Sequence, residues 1–169
     1  MTLGVATLPV AVAVGLGATL VMDLWNLFLG RAFGIRSLDY CLLGRWVSHL
    51  SSGKVIHASI AAAPKADHEC AVGWITHYSI GVVLALVFVA VASAEWLARP
   101  TVLPALLYGL ATVVFPLFIL QPSLGLGVAS SKVPDPTRAR LKSLMTHVVF
   151  GVGLYLCALG VSRLLPAGA

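Results

Sequence analysis

Charge is what this sequence has least of. Only 10% of its 169 residues are Asp, Glu, Lys or Arg, against about 25% in an ordinary soluble domain. Cysteine is scarce too: Cys41, Cys70 and Cys157 lie far apart and form no CxxC pair. That argues against a disulfide scaffold, a zinc finger and a quinone-linked thiol oxidase, which needs paired reactive cysteines. The three are expected to be small apolar packing residues. What fills the space is apolar: 59% of residues are hydrophobic, and the mean hydropathy is +0.98. A single core of this length cannot hide that much apolar surface from water. A soluble globular domain, a disordered chain and a nucleic-acid-binding module are therefore excluded. The net charge of +5 is spread between long apolar runs and reads as membrane flanks.

A membrane span needs about 20 mostly apolar residues. Four segments qualify, over residues 5–30, 71–94, 102–120 and 144–165. The expected fold is all-α and polytopic, a single transmembrane domain over residues 1–169. The first span, from Val5, is kept as a mature helix. No basic segment precedes it, and Asp23, Trp25 and Asn26 stand where a signal peptide has small residues. The loop 31–70 holds Arg31, Arg36, Arg45, Lys54 and Lys65, and the loop 121–143 holds Lys132, Arg138, Arg140 and Lys142. The positive-inside bias puts both loops in the cytoplasm and both termini outside.

The loop 31–70 is too long for a plain connection. Leu42, Leu43, Trp46, Val47 and Leu50 recur at helical spacing, with Arg45, Ser48 and His49 on the other face. Ser37 or Asp39 can cap the start, and Ser51-Ser52-Gly53 ends it. This predicts a short amphipathic helix on the cytoplasmic surface, serving as an interfacial anchor or as a lid over a site. The fourth helix is expected to begin at Asp135-Pro136, a cap followed by proline at the first helical position. The cations Arg138, Arg140 and Lys142 in its first turns suit anionic lipid headgroups.

The second and fourth spans share a phrase, THYSIGVVLAL at 76–86 and THVVFGVGLYL at 146–156. The first and third echo each other more faintly, ATLVMDL at 18–24 against ATVVFPL at 111–117. The four spans then form two parallel repeats. His77 and His147 become repeat mates, and Gly81 and Gly151 lie one turn further on, as close-packing positions.

Polar residues inside the spans gather in the cytoplasmic half. Asp23 is the one acid within a span, His77 and His147 enter from the same side, and Gln121 closes the third span there. An ionised Asp at bilayer depth costs at least about 2.5–3.5 kcal/mol on insertion scales, so it must be paired, protonated or facing a cavity. The histidines are the expected partners, and Asn26 extends the polar face. Pro116 and Pro122 break the third span. The segment 121–127 beyond is expected to be either an interfacial turn or a re-entrant turn whose free carbonyls line a site. His49, His57 and Glu69 are additional candidate ligands on the same side. Imidazole and carboxylate suit Zn, Fe or Cu, so a metal ion at Asp23, His77 and His147, or a b-type haem between the two histidines, enters as a candidate cofactor.

The phrases GATLVMDLW (17–25), GRWVSH (44–49), HASIAAAP (57–64), GWITHYSIG (73–81), FILQPSLGLG (118–127) and LMTHVVFGVGLY (144–155) carry a resemblance over nearly the whole chain. The sequence resembles a bacterial family of small four-helix inner-membrane proteins grouped around a domain of unknown function. The resemblance implies a multi-pass protein of the bacterial inner membrane and supplies no catalytic role. On the residues themselves, a small transporter or carrier for protons, ions or a small solute fits best, with a homodimer expected because four helices are few for alternating access. A metal- or haem-binding redox protein and an accessory subunit of a membrane complex are the alternatives. No nucleophile–base spacing points to an enzyme.

Overall fold

Long apolar runs leave backbone amides no partner but the backbone itself, so they coil. A computed structural model describes residues 7–35 and 37–164. The predicted Val5 start of the first span, Arg36 and Leu165 lie outside the described residues. The helices are α1 (Thr7–Phe33), α2 (Tyr40–Leu50), α3 (Glu69–Ala92), α4 (Ala94–Ala98), α5 (Val102–Ala111), α6 (Gln121–Ser123) and α7 (Pro136–Leu164). There is no strand among the described residues. Four stretches are long and apolar enough to cross a membrane: Thr7–Phe33, Glu69–Ala92, Val102–Ser123 and Pro136–Leu164. Their exposed sides are apolar as well, with Leu20, Leu24, Ile75, Val91, Leu103 and Leu107 open. A helix apolar on all sides is the mark of a membrane span.

Proline does what the sequence predicts of it. Pro116 has no N–H to offer, and the third span leaves α-geometry there. A turn at 112–113 is followed by a π-helical segment, Pro116–Leu120, which Gln121 closes by donating its N–H to the Pro116 carbonyl. At the head of α7 the Arg138 amide donates to Asp135 Oδ1 at 3.0 Å, the expected cap. Asp39 caps α2 by accepting from the Cys41 amide at 2.9 Å.

The contacts divide the chain into two units. The first comprises Met1–Ile35, Tyr78–Thr112 and Thr146–Ala169. Its core is apolar, with Val14, Ala18, Ala85, Phe88, Phe150 and Leu154 buried. Both repeat glycines sit at helix contacts within it. A Cβ on Gly81 would strike the Thr19 hydroxyl, and one on Gly151 would strike the Ala105 carbonyl. Thus α3 lies on α1 through one glycine, and α7 lies on α5 through the other.

The second unit comprises Arg36–His77 and Val113–Met145. It turns the two long loops into a folded cap. Gly44 of α2 and Gly73 of α3 lie face to face: a Cβ on Gly44 would run into the Glu69 carbonyl, and one on Gly73 into the Tyr40 carbonyl. Only glycine allows the two backbones to approach so closely. A strap over residues 54–60 then reaches the segment after the π-helix. The His57 amide donates to the Ser123 carbonyl at 2.9 Å, and the Ile60 amide to the Leu124 carbonyl at 3.0 Å. The carbonyls of Ser123 and Leu124 each accept a bond from the strap in this way. Leu124 and Ile60 are both buried beside them.

One expectation fails outright. Cys41 and Cys70 are not mere packing residues; they form a disulfide across 29 residues of sequence. The pair can form only once α2 has folded back onto α3.

Candidate functional site

In the first unit, polar groups from all four spans bond across helices. The Tyr78 phenol of α3 is an electrostatic neighbour of the Asp23 carboxylate of α1, and the Tyr108 hydroxyl of α5 donates to the Leu84 carbonyl of α3 at 2.7 Å. Thr146 of α7 donates its hydroxyl to Asn26 Oδ1 of α1 at 3.3 Å. The hydroxyl of Thr112, at the end of α5, lies 2.7 Å from His147 Nδ1. The same hydroxyl donates to the Gly109 carbonyl at 2.6 Å. With its one proton placed there, Thr112 accepts from His147 Nδ1–H. Low-dielectric surroundings make such bonds count, because an unmet polar group in a span is costly.

His77 belongs to the second unit. Its ring is stacked on Tyr40 at 4.0 Å between centroids, with Trp74 at 6.0 Å edge-on. Gln121, also in that unit, acts as a clamp: Oε1 accepts from Ser130 Oγ at 2.8 Å, and Nε2 donates to Ser143 Oγ at 3.3 Å. Pro122 lies beside it in α6.

The additional candidates have other occupations. Glu69 is gripped by Arg45, from Nε to Oε2 at 2.8 Å and from Nη2 to Oε1 at 2.7 Å. It also accepts from the Ala66 amide at 3.0 Å. Arg45 spends Nη1 on the carbonyls of Ile60, Ala61 and Ala63, at 3.1, 3.1 and 3.2 Å. The amphipathic pattern puts Arg45 on the solvated face of α2. Instead it is 4% exposed, because its guanidinium finds five acceptor oxygens inside the cap. The Glu69 carboxylate pushes the Arg45 pKa up and holds the charge in place.

His49 and His57 meet each other. His49 Nδ1 lies 2.9 Å from His57 Nε2, with the rings stacked at 5.1 Å. His57 is 3% exposed, and its Nδ1 has no hydrogen-bond partner among the described residues. The less costly arrangement has His57 donate from Nε2, leaving a bare lone pair rather than a stranded N–H at Nδ1. Burial lowers the His57 pKa, and the charges of Lys54 and His49 lower it further.

Among the described residues no group of three or more His, Cys, Asp or Glu converges as metal ligands would. His147 Nδ1 is held by Thr112, the face of His77 is covered by Tyr40, and Glu69 is committed to Arg45.

Sequence reasoning missed Tyr78, Thr112, Arg45 and the cysteine pair. One signal was available for the last: Cys41-Leu42-Leu43-Gly44 and Cys70-Ala71-Val72-Gly73 are the same C-x-x-G phrase. Each puts a sulfur in the first turn of a helix and a glycine one turn on.

Four spans with hydrogen-bonded polar side chains between them define a multi-pass membrane protein. The chain belongs to the family described as "Protein of unknown function (DUF2938)", which it matches over residues 12–161. No curated protein and no solved structure matches it.

Proposed function

We infer that the protein is a small carrier for protons, ions or a small solute in the bacterial inner membrane. Both termini are periplasmic in this reading, and the two long loops are cytoplasmic, following the nine cations there. One observation carries the reading: a carboxylate, Asp23, stands in an apolar span, with the phenol of a second span as its electrostatic neighbour. A phenol beside a carboxylate can bond to it in either protonation state, since the phenol oxygen accepts as well as donates. Intramembrane ionisable groups mark ion and proton paths more often than not. A homodimer supplies the helices that four spans lack for alternating access, and the basic head of α7 meets anionic lipid headgroups.

A second reading is favoured by the same bonds. Thr146–Asn26 and Thr112–His147 also fix helix packing, which is all that an accessory subunit needs. The experiment separates the two. Purified protein is placed in vesicles loaded with a pH-sensitive dye, and a potential is applied with a potassium ionophore. The carrier reading expects proton flux that Asp23→Asn abolishes while the protein stays folded and monodisperse. No flux from the wild type, or undiminished flux in the folded variant, overturns it.

A further inference from the structure

The cytoplasmic loop placement proposed above gives the disulfide an unusual address. Cytoplasmic thiols are kept reduced, and disulfides found there are transient, catalytic or redox-sensing. Cys70 is exposed and Cys41 half-buried, so Cys70 is the less covered residue of the pair. Other contacts hold the same two helical turns together. Cys41 is followed one turn later by Arg45, and Cys70 is preceded by Glu69. The ion pair therefore ties the same two helical turns that the disulfide ties. The Gly44–Gly73 contact holds the two backbones together as well. The sulfurs can part and rejoin while α2 stays on α3, which keeps their mutual concentration high.

We propose that Cys41 and Cys70 are a reversible redox site: a dithiol in the reducing cytoplasm, closed to a disulfide by a low-molecular-weight disulfide. Cys70 is the entry point. It is the less covered residue, and the carboxylate beside it is neutralised by Arg45. The Asp39 carboxylate, in contrast, sits on the Cys41 amide. The Cys70 thiolate attacks one sulfur of the oxidant RSSR; a Cys70–SR bond forms, and RS⁻ leaves and takes up a proton. The Cys41 thiolate then attacks the Cys70 sulfur, the intramolecular bond forms, and the second RS⁻ leaves and is protonated. Two protein thiols lose two electrons, and RSSR becomes two RSH. Small thiols in excess run the exchange backwards.

The test counts thiols. Bacterial cells making the Cys157→Ser variant are quenched in acid and alkylated with a gel-shifting maleimide. Growing cells are expected to show two tags, cells briefly exposed to diamide none, and cells then given dithiothreitol two again. A pair that stays oxidised in growing cells, or keeps both tags after diamide, overturns the proposal. So does a purified Cys157→Ser protein that unfolds when reduced, since the bond would then be structural. Orientation is read separately. Lys132→Cys, placed in a variant with Ser at the three native cysteines, is treated with a membrane-impermeant maleimide. Labelling in inverted vesicles alone supports the cytoplasmic placement, whereas labelling in intact spheroplasts overturns it. The thiol count still decides the redox pair.

Discussion

Arg45 holds Glu69 through two parallel bonds, and its remaining amino group takes three carbonyls of the turn over residues 60–63. One guanidinium thereby joins α2, the strap and the head of α3 inside a single unit. Breaking a buried pair by removing one partner leaves a charge stranded, whereas replacing both by apolar groups is often tolerated. Glu69→Ala and Arg45→Met should each lower the melting temperature in detergent. The double variant Arg45→Met/Glu69→Leu should melt above Glu69→Ala. A double variant that melts below both singles would show that the carbonyl contacts, not the ion pair, carry the cap.

The Gly44–Gly73 contact makes a sharper demand. A methyl group on Gly44 collides with backbone, which cannot swing aside as a side chain does. Overpacking of this kind costs about 1–3 kcal/mol. Gly44→Ala is therefore expected to destabilise the fold by at least that range in a denaturation titration. Gly160→Ala is the control, because nothing lies within 4 Å of its added methyl. Equal stability of the two variants would mean that α2 does not sit on α3 as described.

The His49–His57 contact should make the cap acid-sensitive. One of the two facing nitrogens must be unprotonated to accept the bond, and two imidazolium rings would present two donors to each other. The His57 pKa lies below its ordinary value of 6.5, first because of burial and then because of Lys54 and His49. The folded state thus prefers neutral His57 and the unfolded state takes the proton more readily. The contribution is present above about pH 6.5 and is lost as pH falls from there through the folded pKa. Melting temperature should drop between pH 7.5 and pH 5, and His57→Gln should flatten that drop. A wild-type protein with equal melting temperatures at both pH values would rule this out.

What the sequence made legible follows from the range of the forces. Apolar runs, the Asp135-Pro136 start and the break at Pro116 act within a few residues, so position and type are enough to read them. The amphipathic face of α2 was readable in the same way, apart from Arg45. A charge is placed on the wet face by rule, and its burial depends on Glu69, which lies 24 residues on. Asp23 was recognised as anomalous because an acid in a span is costly anywhere. Its neighbour Tyr78 was not, because a tyrosine in an apolar run looks like any other aromatic until two helices meet. The disulfide also needs two helices to meet: the repeated C-x-x-G phrase places each sulfur in a first helical turn but does not by itself join them.

The Thr112–His147 bond can be weighed by itself. Interhelical hydrogen bonds in membranes average about 0.6 kcal/mol in double-mutant cycles and reach about 1.7. With Thr112 bonded at 2.7 Å and also turned toward Gly109, a coupling energy in that range is expected from a cycle of Thr112→Val and His147→Phe. Additive effects would show that the bond contributes nothing to packing.

Tyr78→Phe separates packing from transport at Asp23. The substitution keeps the ring and removes only the oxygen, so little stability should be lost, again about 0.6 kcal/mol. If Asp23 only fastens α1 to α3, the variant behaves like wild type in every respect but that small loss. If Asp23 cycles between protonated and ionised forms, losing the phenol removes the group that can bond to both. Proton flux in dye-loaded vesicles should then fall in Tyr78→Phe, with the pH of half-maximal flux displaced, while Asp23→Asn carries none. A flux and pH profile identical to wild type would leave Tyr78 as a packing residue and remove it from the proton path.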